Sequence, residues 1–232
     1  MSLVQTAGLL ADRTRAEFCL ALLDGRAWTA GELARHAGVS AATASEQLTR
    51  LIDGGLLAEE RQGRHRYVRL AGPAVASLIE ELSSFGPAGT RPRSAGLRES
   101  SRLSAEARGR TCYDHLAGQL GVGVSDALLR RGLVSDEDGL SLTASGRSWF
   151  AAQDIAIEPA PAPRRSTRPV LRGCLDWTER RMHLGGLVGA ALCRTAFERG
   201  WVERIGTGRA LRLTTLGVRD FTEPLGLARP AA

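Results

Sequence analysis

Apolar residues recur at three- and four-residue spacing along much of the chain and stop at glycines, which divides it into short helices. Over residues 4–23, Leu9, Leu10, Phe18, Leu22 and Leu23 form the stripes of one or two helices that Asp24-Gly25 ends. Thr29 with Glu32 is a capping box: each side chain satisfies a backbone N–H that the first turn leaves unpaired, so a helix opens at Thr29 and runs to Gly38. Ser40 caps the next helix; Ala44, Leu48, Leu51 and Ile52 give it one packing face, and Gly54-Gly55 end it. Residues 56–60 and 67–70 read as strands, with Gln62-Gly63-Arg64 turning between them into a two-stranded wing. Pro73 suits the first turn of a further helix, whose stripe of Val75, Leu78, Ile79, Leu82 and Phe85 needs a partner to cover it.

The rhythm lapses over residues 84–101, which are rich in Ser, Gly, Pro and Arg. We therefore expect a domain at 1–85, a linker at 86–96 and a second domain at 97–228. Within the second domain the sequence repeats itself. HLAGQLGVGVSDALLRRGLV from His115 aligns without gaps on HLGGLVGAALCRTAFERGWV from His183, and LSLTASG at 140–146 answers LRLTTLG at 211–217. The copies span about 110–151 and 172–222. The prolines of 155–169 make an extended spacer between them. Each copy reads as a helix or two, a glycine stop, a short strand pair and a Thr-capped closing helix. The expected fold is mainly α with short β-hairpin wings: an N-terminal winged helix-turn-helix followed by two degenerate winged-helix-like repeats.

The stretch ELARHAGVSAATASEQL, then GGLLAEERQGRHRYVRL and the helix from Pro73, resembles the winged helix-turn-helix of the ArsR/SmtB family of bacterial repressors. The resemblance implies a homodimer, with the first and last helices of the domain packing across the two-fold axis. It also implies binding to a palindromic operator in double-stranded DNA. The metal sites of that family do not carry over. The helix at Thr29 has no cysteine, and PAVASLIEELSSF offers only Glu80 and Glu81 where the family places Asp, His and Glu ligands.

On the second helix of the motif, Ser40, Ala41, Ala42, Thr43, Ser45, Gln47 and Arg50 lie off the packing face, as does the acidic Glu46. A major groove is read by donors and acceptors from such a helix, Gln suiting adenine and hydroxyls suiting bases or phosphates. The wing adds Arg61, Arg64, His65 and Arg66. A net charge of +6 and a pI near 10 favour a polyanionic partner. All 31 cationic residues are arginine, from which no function follows. No apolar run is long enough to cross a membrane and the first residues mix charges into the apolar pattern, so a cytoplasmic location and no membrane partner are expected. Cysteines in such a chain are expected reduced.

The second domain carries another constellation. Cys112, Asp114 and His115 in the first copy answer Cys174, Asp176 and His183 in the second, with WTERRM inserted before His183. Several readings stand at this point, among them a domain purely for dimerisation or protein interaction. Duplicated core packing, with Asp as a helix cap, needs no ligand. Two half-sites could instead hold a zinc-like metal ion. The thiols could also sense an oxidant, given a nearby cation such as Arg110 or Arg172. Tyr113, Trp177, Met182, Leu187 and Trp201 offer material for a small-molecule effector pocket. No nucleophile elbow, phosphate-binding glycine loop or metalloprotease helix occurs, so an enzyme is not expected.

Overall fold

The computed structural model describes residues 2–62, 65–84, 97–157, 168–206 and 208–227. The chain forms two compact units, Met1–Leu82 and Ser83–Ala232.

The N-terminal unit runs α1 (Leu3–Leu10), α2 (Arg13–Ala21), β1 (Trp28–Thr29), α3 (Ala30–Ala37), α4 (Ala41–Asp53), β2 (Leu57–Gln62), β3 (His65–Leu70) and α5 (Pro73–Ser84). The local signals act where the sequence puts them. Thr29 and Glu32 close the capping box, Gly38 ends α3 at φ 67°, and Ser40 Oγ accepts from the Thr43 N–H. Phe18, Leu22, Leu33, Ala44, Leu48, Leu51 and Val68 are fully buried together with Cys19, so α4 is fixed by its Ala44/Leu48/Leu51 face. β2 and β3 pair antiparallel from Leu57↔Leu70 to Gln62↔His65. The strand β1, too short to show a period of two, adds a third member beside β3 through Trp28↔Val68. Buried Asp24 explains its position: it accepts from the Arg26 N–H and from Trp28 Nε1.

The C-terminal unit begins with α6 (Leu97–Arg108). Then follow a hairpin β4 (Arg110–Cys112) and β5 (His115–Ala117), helix α7 (Gly118–Arg130), hairpin β6 (Val134–Ser135) and β7 (Ser141–Leu142), and helix α8 (Ala144–Ala152). The same order returns as β8 (Arg172–Leu175), β9 (Met182–Gly185), α9 (Gly186–Glu198), β10 (Val202–Arg204), β11 (Leu211–Leu213) and the single turn α10 (Thr215–Gly217). Thr143 caps α8 and Thr214 caps α10, each accepting from a glycine N–H three residues on. The hairpins β4–β5 and β8–β9, which open the two series, replace the helix that the sequence pattern predicts at the start of each copy.

One core serves both series. Leu116, Leu120, Val124, Leu128 and Phe150 pack in the same cluster as Leu184, Val188, Leu192, Trp201 and Phe221, with Trp201 stacked on Phe221 at 4.9 Å. The first series is tied to the second by the Leu184 N–H donating to Ser125 Oγ of α7 and the Leu211 N–H donating to the Gly109 carbonyl. Gly118 and Gly186, at φ 71° and 80°, let the chain pass from hairpin into helix. A Cβ on Gly118 would lie 2.6 Å from the Ala107 carbonyl oxygen, so both the angle and the space require glycine there. Among the described residues no helix is long and apolar enough to cross a membrane.

Candidate nucleic-acid interface and a buried cysteine-histidine cluster

With Ala44, Leu48 and Leu51 turned inward, α4 presents Ala41, Ala42, Ser45, Glu46, Thr49 and Arg50 to solvent, with Thr43 half-buried and Ser40 exposed at the N-terminus. Glu46 and Arg50, one turn apart, form an ion pair at 2.7 Å, so the acid partly neutralises its neighbour. Gln47 differs from its sequence reading: it is half-buried, and its Oε1 accepts from Arg15 Nη1 at 2.7 Å. Standing one turn from Ala44 and beside Leu48, it sits at the margin of the packing face. Arg15, which the sequence left unremarked, also donates to the carbonyls of Gly8 and Leu9 and so ties α1 and α2 to α4.

On the wing, exposed Arg61 and half-buried Arg66 both pair with Glu59, at 3.5 Å and 2.6 Å. Arg64 lies outside the described residues, as does the side chain of His65, whose backbone belongs to β3. The linker 86–96 and most of the spacer 155–169 also lie outside them.

In the C-terminal unit the six singled-out residues come together. Cys112 faces His115 across β4–β5, and Cys174 faces His183 across β8–β9, as directly opposed pairs in both ladders. Tyr113, at φ 57°, turns the first hairpin within two residues. The second hairpin needs the insertion, which Asp176 organises by accepting from the Thr178 and Glu179 N–H groups. The two hairpins meet head on. Cys112 Sγ lies 3.7 Å from Cys174 Sγ, and His115 Nε2 lies 3.1 Å from His183 Nε2. All four side chains are buried, and their ligand atoms lie within 4.8 Å of one another.

Behind each imidazole stands a carboxylate. His115 Nδ1 is 3.3 Å from Asp114 Oδ1, and His183 Nδ1 is 3.4 Å from Asp176 Oδ2. Burial works to raise the Asp114 pKa, but hydrogen bonds from Arg168 and His115 outweigh it and hold the carboxyl at about 2. Burial likewise opposes ionisation of Asp176, and the charge of Arg110, the Thr178 hydroxyl and the Gly118 N–H outweigh it, keeping it well below the usual carboxylate range. Arg110 is 1% exposed; it donates to Asp176 at 2.9 Å and lies over the Trp177 ring. Its guanidinium serves the aspartate. The Cys174 thiol is instead drawn down by its hydrogen bond with Cys112, against desolvation, and then by His115 and His183. The recurring Arg-x-Cys-x-Asp of Arg110/Cys112/Asp114 and Arg172/Cys174/Asp176 was the signal for this arrangement, whereas nothing in the sequence pointed to Arg168.

The aromatic residues considered for an effector pocket are placed differently. Trp201 is buried in the core against Phe221, and Trp177 carries Arg110 on its face.

Comparison with known proteins bears on both units. A helix-turn-helix domain family matches residues 10–60. A Bacillus subtilis protein, the uncharacterized HTH-type transcriptional regulator YdfF, is 36% identical over 227 residues, covering 97% of this chain and 98% of that protein. Among solved structures, the winged helix-turn-helix DNA-binding domain of Mb0332 from Mycobacterium bovis, described as homodimeric and as a possible ArsR-family regulator, is 30% identical, covering 35% of this chain and 74% of that one at a TM-score of 0.32. Reduced HlyU from Vibrio cholerae is 25% identical, covering 34% and 82% at a TM-score of 0.32.

Proposed function

The chain belongs to the HTH-type transcriptional regulators, and from that premise we propose that it is a homodimeric repressor that reads a palindromic operator with two copies of α4. The observation that carries this reading is the division of α4 into a buried apolar face and an exposed face of Ser45, Glu46, Thr49 and Arg50, with the capped helix end at Ser40 beside it. The free N–H groups of that end suit a phosphate, and the exposed face suits base edges in a major groove. Arg61, with Arg64, His65 and Arg66, supplies the wing's phosphate contacts.

Homodimerisation is supported by Leu3 and Val4 of α1, 84% and 81% exposed, and by Leu82 of α5, 49% exposed. Large apolar side chains at the two ends of the domain are what a symmetric pairing of first and last helices would cover. We place the domains at 1–85 and 97–228, with the second made of two degenerate winged-helix-like repeats that modulate occupancy and add no catalytic activity. The repeated order of hairpin, helix, hairpin and Thr-capped turn supports the duplication. A cytoplasmic location follows from the proposed partner.

Fluorescence anisotropy on DNA containing the operator tests the reading. Arg61→Ala is expected to reduce the slope of log affinity against log salt by about 1, and Ser45→Ala to alter sequence preference with the slope unchanged. Wild-type affinity and slope in both variants would contradict the assigned face.

A further inference from the structure

Four side chains converge on one point in the C-terminal unit, and the DNA-reading surface makes no use of them. They come from two hairpins 62 residues apart, each contributing a cross-strand Cys/His pair. The two Nε2 atoms lie 3.1 Å apart and the two sulfurs 3.7 Å apart, and all four atoms fall within 4.8 Å of one another. Cys174 is hydrogen-bonded to both imidazoles as well as to Cys112, so the four groups form one connected cluster. A single cation at the centre accounts for both pairs.

The sulfur–sulfur and nitrogen–nitrogen separations match a tetrahedral ion. Zinc bonds of ~2.3 Å to sulfur and ~2.0–2.1 Å to nitrogen, at tetrahedral angles, put the two sulfurs ~3.8 Å apart and the two nitrogens ~3.3 Å apart. The separations here are 3.7 Å and 3.1 Å. We propose that Cys112, His115, Cys174 and His183 are the four ligands of a zinc-class divalent metal ion that clamps the two hairpins of the C-terminal unit together.

The surroundings are those of a metal site. A ligating imidazole characteristically gives its other N–H to a carboxylate, which fixes the ring and raises its basicity. Asp114, held by Arg168, stands in that place for His115, whereas Asp176, held by Arg110, lies 3.4 Å from His183 Nδ1 without a hydrogen bond to it. Two thiolates and two imidazoles select a borderline-soft ion over magnesium or calcium. Binding takes both sulfurs as thiolates and releases their protons to solvent. Four protein ligands close a tetrahedral shell, so the ion holds structure and activates no water. The site lies away from the positions at which the resembled family carries its metals, and it does not depend on the DNA reading.

The test is metal analysis of the full-length chain purified under reducing conditions without chelator, followed by cobalt(II) titration of chelator-treated protein. The expected result is about one ion per chain and the intense d–d and thiolate charge-transfer bands of tetrahedral cobalt. Both should be lost in the Cys112→Ser, Cys174→Ser double variant and kept in Cys193→Ser, whose buried thiol is outside the cluster. Should the double variant fail to fold, Asp114→Asn keeps all four ligands and is expected to weaken metal affinity about 10–100-fold in competition with a chromophoric chelator. Four outcomes would overturn the proposal: wild-type protein that binds neither zinc nor cobalt, an octahedral cobalt spectrum, full metal retention in the folded double variant, and a Cys112–Cys174 disulfide in freshly purified reduced protein. DNA binding is not read in this experiment, so its outcome is separate from that of the operator assay.

Discussion

Asp176→Asn isolates the electrostatic joint between the two hairpins. In the wild type, Asp176 Oδ2 receives Arg110 Nη2 at 2.9 Å and the Gly118 N–H at 2.7 Å, with Asp176 0% and Arg110 1% exposed. The amide keeps the shape but removes the charge, leaving a guanidinium buried without its counter-ion. Breaking a buried pair by removing one partner costs about 3–5 kcal/mol. At roughly 2–4 °C per kcal/mol for a unit of this size, the C-terminal transition should fall by about 6–20 °C. Unfolding of chelator-treated protein, followed through Trp149, Trp177 and Trp201, reads that transition. Removing both charges, as Arg110→Met with Asp176→Leu, should recover part of the loss, because no buried ion is then stranded. A shift under about 2 °C for Asp176→Asn, or a double variant less stable than the single one, would refute the reasoning.

Other consequences follow from individual contacts. Arg15→Met removes charge-assisted hydrogen bonds to Gly8, Leu9 and Gln47, and urea unfolding should show the N-terminal unit weakened by about 2 kcal/mol. Ser40→Ala removes the cap of α4 and should cost about 1 kcal/mol in the same assay. Burial pushes the Cys19 and Cys193 thiols up to about 12, so native-state alkylation at pH 8 should leave both unmodified until the chain unfolds, as mass spectrometry of digests will show.

The winged helix was legible because its signals are local. A Thr/Glu capping box, a glycine at positive φ and a Ser cap each act within four residues, and the α4 stripe declares its own buried face. What escaped notice depends on distant partners. β1 is two residues long and exists because β3 lies beside it. Helical spacing alone puts Gln47 off the packing face, because its partner Arg15 lies 32 residues away. In the C-terminal unit the recurrence of Cys, Asp and His was plain, but the hairpins bearing them are too short for a period of two to show. Read as a helix, Cys-x-Asp cannot converge on anything. Read as a strand entering a turn, it sets Cys opposite His and Asp behind it.

The proposed function requires α4 to read DNA twice over, once from each chain of a symmetric dimer. Selection of bound sequences from a randomised duplex library by the full-length chain measures that directly. The expected product is an inverted repeat whose half-sites are centred about 10 bp, or a multiple of it, apart, and it should lose its definition with Ser45→Ala. Enrichment of no sequence, or of a single asymmetric half-site bound by one chain, would contradict it.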